Sequence, residues 1–164
     1  MKFSSQLIRC TFQSPLGPMT LAANDTALVG VWFDGQQHQP APDLWHLSKV
    51  HPVLNKACAQ LDEYFEGKRT SFDLPLDVSG GTVFQQQVWS ALQDIPPGAT
   101  ESYGTVSQRI GRPQAVRAVG AAIGRNPLSI VIPCHRVVGG NGALTGYAGG
   151  LERKIALLHL ESRF

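Results

Sequence analysis

The chain has 164 residues, 43% hydrophobic and 16% charged, a balance that supports a packed core and excludes wholesale disorder. That length fits one domain, or two small ones sharing a core. A formal net charge of +2 neither requires nor excludes an acidic partner, and the longest run of branched aliphatics, Ile130-Val131-Ile132, is far too short to span a bilayer.

Ile8 to Phe12, Met19 to Ala23 and Ala27 to Phe33 read as a meander of strands, turned by Pro15-Leu16-Gly17-Pro18 and by Asn24-Asp25. Residues 35–43, rich in Gln, Pro and Gly, read as a loop. Leu54, Ala57, Cys58, Leu61 and Phe65 recur at helical spacing, predicting an amphipathic helix from about Pro52 to Glu66 that Gly67 ends. Cys58 lies on its apolar stripe and reads as a buried structural thiol. Asp77-Val78-Ser79-Gly80-Gly81 marks a boundary between residues 1–78 and residues 79–164.

Beyond it, Phe84, Val88 and Leu92 share one face of a helix that Pro96-Pro97-Gly98 terminates. A short helix from about Gly104 to Ile110 follows, then the turn Gly111-Arg112-Pro113, then a second helix from Gln114 to about Gly124. Two short helices around a tight glycine-containing turn form the pattern of a helix-turn-helix. After Asn126-Pro127 a short apolar strand, Ser129 to Ile132, leads into Pro133-Cys134-His135-Arg136-Val137-Val138. Leu151, Ile155 and Leu158 supply the buried stripe of a last helix. The expected class is α/β of the α+β kind. A small strand-meander-plus-helix domain precedes a mostly helical one that carries the helix-turn-helix and a short active-site strand.

Charge and glycine divide the chain at the same boundary. Residues 1–80 hold six Lys/Arg against eight acids, a net of −2, while residues 81–164 hold eight against four, a net of +4. Between Ser102 and Gly150 there are five arginines (Arg109, Arg112, Arg117, Arg125, Arg136) and no acid. This is either a solvated basic face or a phosphate-facing surface with nucleic acid as partner. The second short helix offers little beyond methyl groups from Ala115, Ala118, Ala121 and Ala122, with Arg117 its one long projection. Close helix packing and close approach to a groove wall both fit that smoothness.

Three cysteines, Cys10, Cys58 and Cys134, are odd in number and far apart, which disfavours a disulfide scaffold and suits a reducing cytosol. Met1 to Thr11 carries no apolar run of the signal-peptide kind. At Cys134 a thiol adjoins an imidazole and a guanidinium, the electropositive setting that favours thiolate. Cys134 is therefore a nucleophile, or else a buried core thiol. No CxxC or CxxH spacing links it to Cys10 or Cys58, so no metal centre is expected. Papain-like and caspase-like surroundings and a G-x-S-x-G elbow are absent.

Pro133-Cys134-His135-Arg136-Val137 resembles the active-site signature of the O6-alkylguanine-DNA alkyltransferases, repair proteins that move an alkyl group from guanine O6 onto their own cysteine. The likeness runs from about Phe84 through Glu161. It takes in Ser102-Tyr103-Gly104, Arg117-Ala118-Val119-Gly120, Asn126-Pro127 and Gly146-Tyr147-Ala148-Gly149-Gly150, whereas the first half resembles the family's N-terminal domain only loosely. The resemblance implies that Cys134 is the acceptor, that His135 removes its proton through a water, and that Glu161 orients His135. It further implies that Tyr103 delivers a proton toward guanine N3 and that Asn126 stabilises the turn before the active-site strand. Val137, Tyr147, Ala148, Gly149 and Ile123 would form the substrate pocket. Arg117 would enter the duplex in place of an extruded nucleotide, with Ala115, Ala118 and Ala121 in the minor groove and Arg112, Arg125 and Arg136 contacting DNA.

The implied partner is double-stranded DNA carrying O6-alkylguanine, with O4-alkylthymine as a second substrate, in a single-turnover reaction. No cofactor, metal, membrane or obligate protein partner is implied, and the expected form is a cytoplasmic monomer. Ala156 stands where the family often has Trp, and the four-cysteine zinc domain of its methylation sensors is missing. Two alternatives remain. A non-catalytic binder of alkylated bases that recruits other repair would lack the acceptor cysteine. A helix-turn-helix regulator would need polar side chains on its second helix to read bases.

Overall fold

The computed structural model describes residues 1–164. Three antiparallel strands, β1 (Ile8–Ser14), β2 (Gly17–Ala23) and β3 (Leu28–Phe33), form the meander. A two-residue strand absent from the sequence reading, β4 (His46–Leu47), adds parallel to β1, giving the order β3-β2-β1-β4. Alternation along β1 and β2 sends Phe12, Met19 and Leu21 to one face, where they join a core of 27 buried residues. Ala22, Trp32 and Trp45 cover the other face with Leu7 and Val29. Helix α1 (Pro52–Phe65) packs on the first face through Leu54, Ala57, Leu61 and Tyr64. The His51 side chain caps its N-terminus.

The second half adds α2 (Val83–Leu92), β5 (Glu101–Ser102), α3 (Tyr103–Arg109), α4 (Val116–Gly124), β6 (Val137–Val138) and α5 (Leu151–Glu161). Thr82 and Gln85 close a reciprocal capping box on α2. Trp89 on α2 donates from Nε1 to the Ala122 carbonyl at 2.8 Å, fastening α4 to the core. Between α3 and α4 the chain turns through Gly111 at φ +70°, a conformation that favours glycine. The Ser107 hydroxyl, at the end of α3, donates to the Arg112 carbonyl within that turn. Helix α4 begins at Val116, after the expected Gln114, because Pro113 and Gln114 belong to the turn.

Three expectations need correction. Ser129 to Ile132 is not a strand: it is a buried turn, in which Ile130 takes φ +73°. The strand near Cys134 is β6, which follows it and pairs parallel with β5 (Glu101 opposite Val137, Ser102 opposite Val138). The apolar run Ile130-Val131-Ile132 signalled burial correctly, but the hydrogen bonds of the segment go to β3, to the Asn126 side chain and within the turn itself. On α5, Leu151 and Ile155 are exposed, and the buried stripe is Lys154, Leu157 and Glu161. Finally, Cys58 is only half-buried, and its sulfur lies 3.7 Å from that of Cys10.

The free edge of β3 positions the turn. Val31 donates its N–H to the Pro127 carbonyl at 2.8 Å, and Ser129 donates back to the Val31 carbonyl at 2.9 Å. The sheet of the first half therefore holds the segment that leads to Cys134.

Candidate active site

Asn126 organises the turn. Its Oδ1 accepts from the Leu128 N–H at 3.0 Å, while Nδ2 donates to the Ile132 carbonyl at 2.8 Å and to Cys134 Sγ at 3.0 Å. An amide is suited to this place because it offers an acceptor and two donors within one buried side chain. Cys134 opens a one-turn 3-10 segment, Cys134–Arg136, and is 5% exposed. Burial pushes the thiol up, and the Asn126 hydrogen bond and the Lys154 charge oppose that rise without cancelling it. The electropositive setting expected to favour thiolate is thus outweighed by desolvation, and the resting centre holds a neutral thiol.

His135 is fully buried, and its Nε2 lies 2.8 Å from Glu161 Oε1. Burial lowers the imidazole, outweighing the raising effect of Glu161, so the ring is neutral at pH 7. A neutral ring beside a carboxylate carries its proton on Nε2, which leaves Nδ1, a buried atom with no partner, able to accept one. Glu161 sits at about 2, because bonds from His135 and Arg136 outweigh the cost of its burial.

Arg136 was expected on DNA and is instead buried. Its Nε and Nη2 donate to the two Glu161 oxygens at 2.9 and 2.8 Å, and Nη1 donates to the Ile95 carbonyl at 2.5 Å. A carboxylate buried this deeply needs a cation, and Arg136 supplies it. Tyr64 of α1 donates a further bond to Glu161 Oε1 at 2.7 Å. Sequence reasoning missed Tyr64, although a tyrosine on an otherwise apolar stripe signals a buried partner for its hydroxyl.

Lys154 was missed as well. Its ammonium donates to the carbonyls of Val137, Thr145 and Gly146 at 2.5, 2.9 and 3.3 Å, tying the loop before α5 to β6. Ser129 Oγ donates to Gln36 Oε1 at 3.1 Å, and the Gln37 N–H donates to the Ala148 carbonyl at 3.0 Å. Nothing local in residues 36–37 announces that role.

A cavity of about 160 Å³ opens onto Cys134, lined by Tyr103, Gly120, Ile123, Tyr147, Ala148 and Gln37 among others. Tyr103 packs over Gly120 of α4, where a Cβ would meet the ring at 3.7 Å. Ile123, Tyr147 and Ala148 therefore line the cavity as expected, but Val137 and Gly149 do not. Val137 is fully buried with its carbonyl held by Lys154, and Gly149 is packed so tightly on Tyr147 and Phe33 that a Cβ would lie 2.6 Å from the Tyr147 ring.

The arginines separate into two groups. Arg109 bonds Glu101 and the Ala91 carbonyl, and Arg136 bonds Glu161, so acids from outside the acid-free stretch neutralise both. Arg112, Arg117 and Arg125 are exposed and form no ion pair. Ala118 and Ala121 are exposed beside Arg117, and Ala115 is half-buried at the start of α4. A smooth helix face with one cationic projection thus borders the cavity through Gly120 and Ile123. No group of three or more His, Cys, Asp or Glu could hold a metal ion, and no helix is long and apolar enough to cross a membrane.

Residues 83–163 match the family model for the 6-O-methylguanine DNA methyltransferase DNA binding domain, and residues 7–78 match the model for its ribonuclease-like domain. The chain is 48% identical over 151 residues to the methylated-DNA--protein-cysteine methyltransferase of Mycobacterium tuberculosis, covering 92% of this chain and 90% of that protein. Its identity to the protein of the same name from Methanosarcina acetivorans is 47%, covering 92% and 95%. The crystal structure of Mycobacterium tuberculosis OGT in complex with DNA is similar at a TM-score of 0.88 and 46% identity, covering 95% of this chain and 93% of that one.

Proposed function

The chain belongs to the 6-O-methylguanine DNA methyltransferase family, and on that premise we propose that it repairs duplex DNA by moving the alkyl group of O6-alkylguanine onto Cys134. It is a methylated-DNA--protein-cysteine methyltransferase, a DNA-binding enzyme of DNA repair. The observation that carries the assignment of the acceptor is the buried chain Asn126–Cys134 and His135–Glu161 at the floor of a cavity beside α4.

In the reaction, His135 Nδ1 takes the Cys134 proton through a bridging water, and Glu161 stabilises the imidazolium through Nε2–H. Starting from a neutral thiol avoids a buried thiolate before substrate arrives. The sulfur attacks the alkyl carbon, the C–O6 bond breaks, and its electron pair passes to the guanine ring. Tyr103 donates a proton to N3 as that charge develops. The product is a thioether, which has no good leaving group, so each molecule acts once. O4-alkylthymine presents the same ether beside a ring nitrogen and is a second substrate.

The sulfur of a residue only 5% exposed cannot meet an oxygen inside a base stack, so the nucleotide leaves the duplex before transfer. Arg117 fills the gap while Ala115, Ala118 and Ala121 lie against the minor groove, and Arg112 and Arg125 contact phosphates. Residues 79–164 carry DNA binding and the acceptor, and residues 1–78 serve as the scaffold. The protein acts as a monomer in the cytoplasm, without cofactor.

Intact-protein mass after incubation with a duplex containing O6-methylguanine tests this reading. One added methyl group, mapped to Cys134 and lost in Cys134→Ser, is expected. An unmodified protein that still binds the duplex would overturn transfer and leave lesion binding alone.

A further inference from the structure

The two cysteines that the transfer reaction leaves unused meet each other. Strand alternation lays Ile8, Cys10 and Phe12 on the face of β1 that α1 covers, and helical spacing aligns Cys58 with Leu54 and Leu61 against that face. The two sulfurs, 48 residues apart in sequence, stand 3.7 Å apart with a hydrogen bond between them. Both cysteines are half-buried, so small solutes reach them, whereas Cys134 is buried.

We propose that Cys10 and Cys58 form a second reactive thiol site, which hydroperoxides oxidise to a disulfide that clasps β1 to α1. A disulfide is about 2.05 Å long, so the sulfurs close by about 1.7 Å, and the strand and helix that carry them are already packed together. The shared S–H also sets an order of reaction. The contact between the two sulfurs lowers Cys58 and raises Cys10, which makes Cys58 the attacking sulfur and Cys10 the resolving one. Desolvation of Cys58 and the nearby Asp62 carboxylate oppose that lowering without reversing it.

In the first step the Cys58 thiolate attacks the peroxide O–O bond, forming a sulfenic acid and releasing an alcohol, or water from hydrogen peroxide. In the second, Cys10 sulfur attacks the Cys58 sulfur and expels water. Two thiols and one hydroperoxide thus yield one disulfide, one alcohol and one water. The site is independent of alkyl transfer, because Cys134 takes no part in it.

The test treats the full chain, and in parallel Cys134→Ser, with hydrogen peroxide, then counts free thiols and maps peptides without reduction. Loss of two of the three thiols, a linked Cys10–Cys58 peptide and recovery on adding dithiothreitol are expected, with Cys134 still able to accept a methyl group. Cys134→Ser should lose both of its remaining thiols in the same way. In Cys10→Ser, Cys58 sulfenic acid should persist long enough for dimedone to trap it, and in Cys58→Ser the Cys10 thiol should survive. Oxidation of Cys134 while Cys10 and Cys58 remain thiols would overturn the proposal. So would overoxidation of Cys58 with no linked peptide, a result that the unsubstituted chain alone can supply.

Discussion

Tyr64→Phe removes a single oxygen, one of the three residues' donors that surround Glu161. The hydroxyl donates to Glu161 Oε1 at 2.7 Å with both side chains essentially excluded from solvent. Burial and the adjacent carboxylate push the phenol well up, so it remains a donor across the working pH range. A hydrogen bond to a buried charged group is worth roughly 1.5–3 kcal/mol, and the near-isosteric ring leaves little cavity. The expected loss is therefore about 2 kcal/mol, or roughly 4–8 °C in melting temperature for a chain of this size. The same loss raises Glu161 from about 2 by at most about 1.5 pH units, which leaves it ionised at neutral pH but more strongly attractive to the His135 Nε2 proton. His135 consequently becomes more basic, and the pH midpoint of Cys134 methylation should rise.

Urea unfolding at pH 7, followed through the buried Trp32, Trp45 and Trp89, measures the stability loss, and an unchanged m-value confirms that the folded state is intact. A double-mutant cycle with Glu161→Gln isolates the pair. Coupling near 2 kcal/mol is expected. Additive losses, or a Tyr64→Phe cost below about 0.5 kcal/mol, would refute the claim that this hydroxyl holds an ionised carboxylate in a dry site.

Other consequences concern acid stability and DNA. Glu161 sits at about 2 when folded against a reference of 4.5, so its stabilisation, on the order of 3 kcal/mol, is present above about pH 4.5 and is lost as pH falls toward 2. The folded-state lowering of His135 acts in the same direction, because the unfolded imidazole binds a proton below its reference value of 6.5. Urea midpoints that agree at pH 7 and pH 3 would contradict both assignments. Arg117→Ala should slow repair of a duplex about tenfold or more while leaving reaction with a free O6-substituted guanine base nearly unchanged; equal losses on the two substrates would count against insertion. Arg136→Met and Arg125→Ala should separate stability from binding. The first leaves Glu161 without its guanidinium and costs about 3–5 kcal/mol, whereas the second is nearly neutral for folding and reduces the salt slope of DNA binding by roughly one. A normal melting temperature for Arg136→Met would remove it from the core.

Local pattern made much of this protein legible. Strand alternation and helical spacing located β1 to β3, α1 and α2, because each buries one side of a short periodic segment. The five residues around Cys134 carried the family resemblance on which the proposed acceptor rests, and the smooth face of α4 was visible in its alanines. The same rules failed where burial serves polar groups. On α5 the spacing suggested a stripe of Leu151, Ile155 and Leu158, yet Leu151 and Ile155 face solvent, while Lys154 and Glu161 join Leu157 on the inner face. Hydrophobic periodicity has no means of marking a buried lysine held by three carbonyls or a buried glutamate held by tyrosine, histidine and arginine.

Sequence by itself therefore placed β1 to β3, α1, α2 and the helix-turn-helix, all of which depend on neighbours close along the chain, and marked Cys134 as the cysteine proposed to accept the alkyl group. Tertiary structure alone decided the rest. It turned Arg136 from a surface cation into the counter-ion of Glu161, brought Tyr64 across 97 residues to the same carboxylate, and paired Cys10 with Cys58. Desolvation, which no residue type encodes, kept the Cys134 thiol neutral despite its basic neighbours. The net charge of +2 behaves in the same way: its sign is written in the composition, but which arginines face a partner depends on where folding has set the acids.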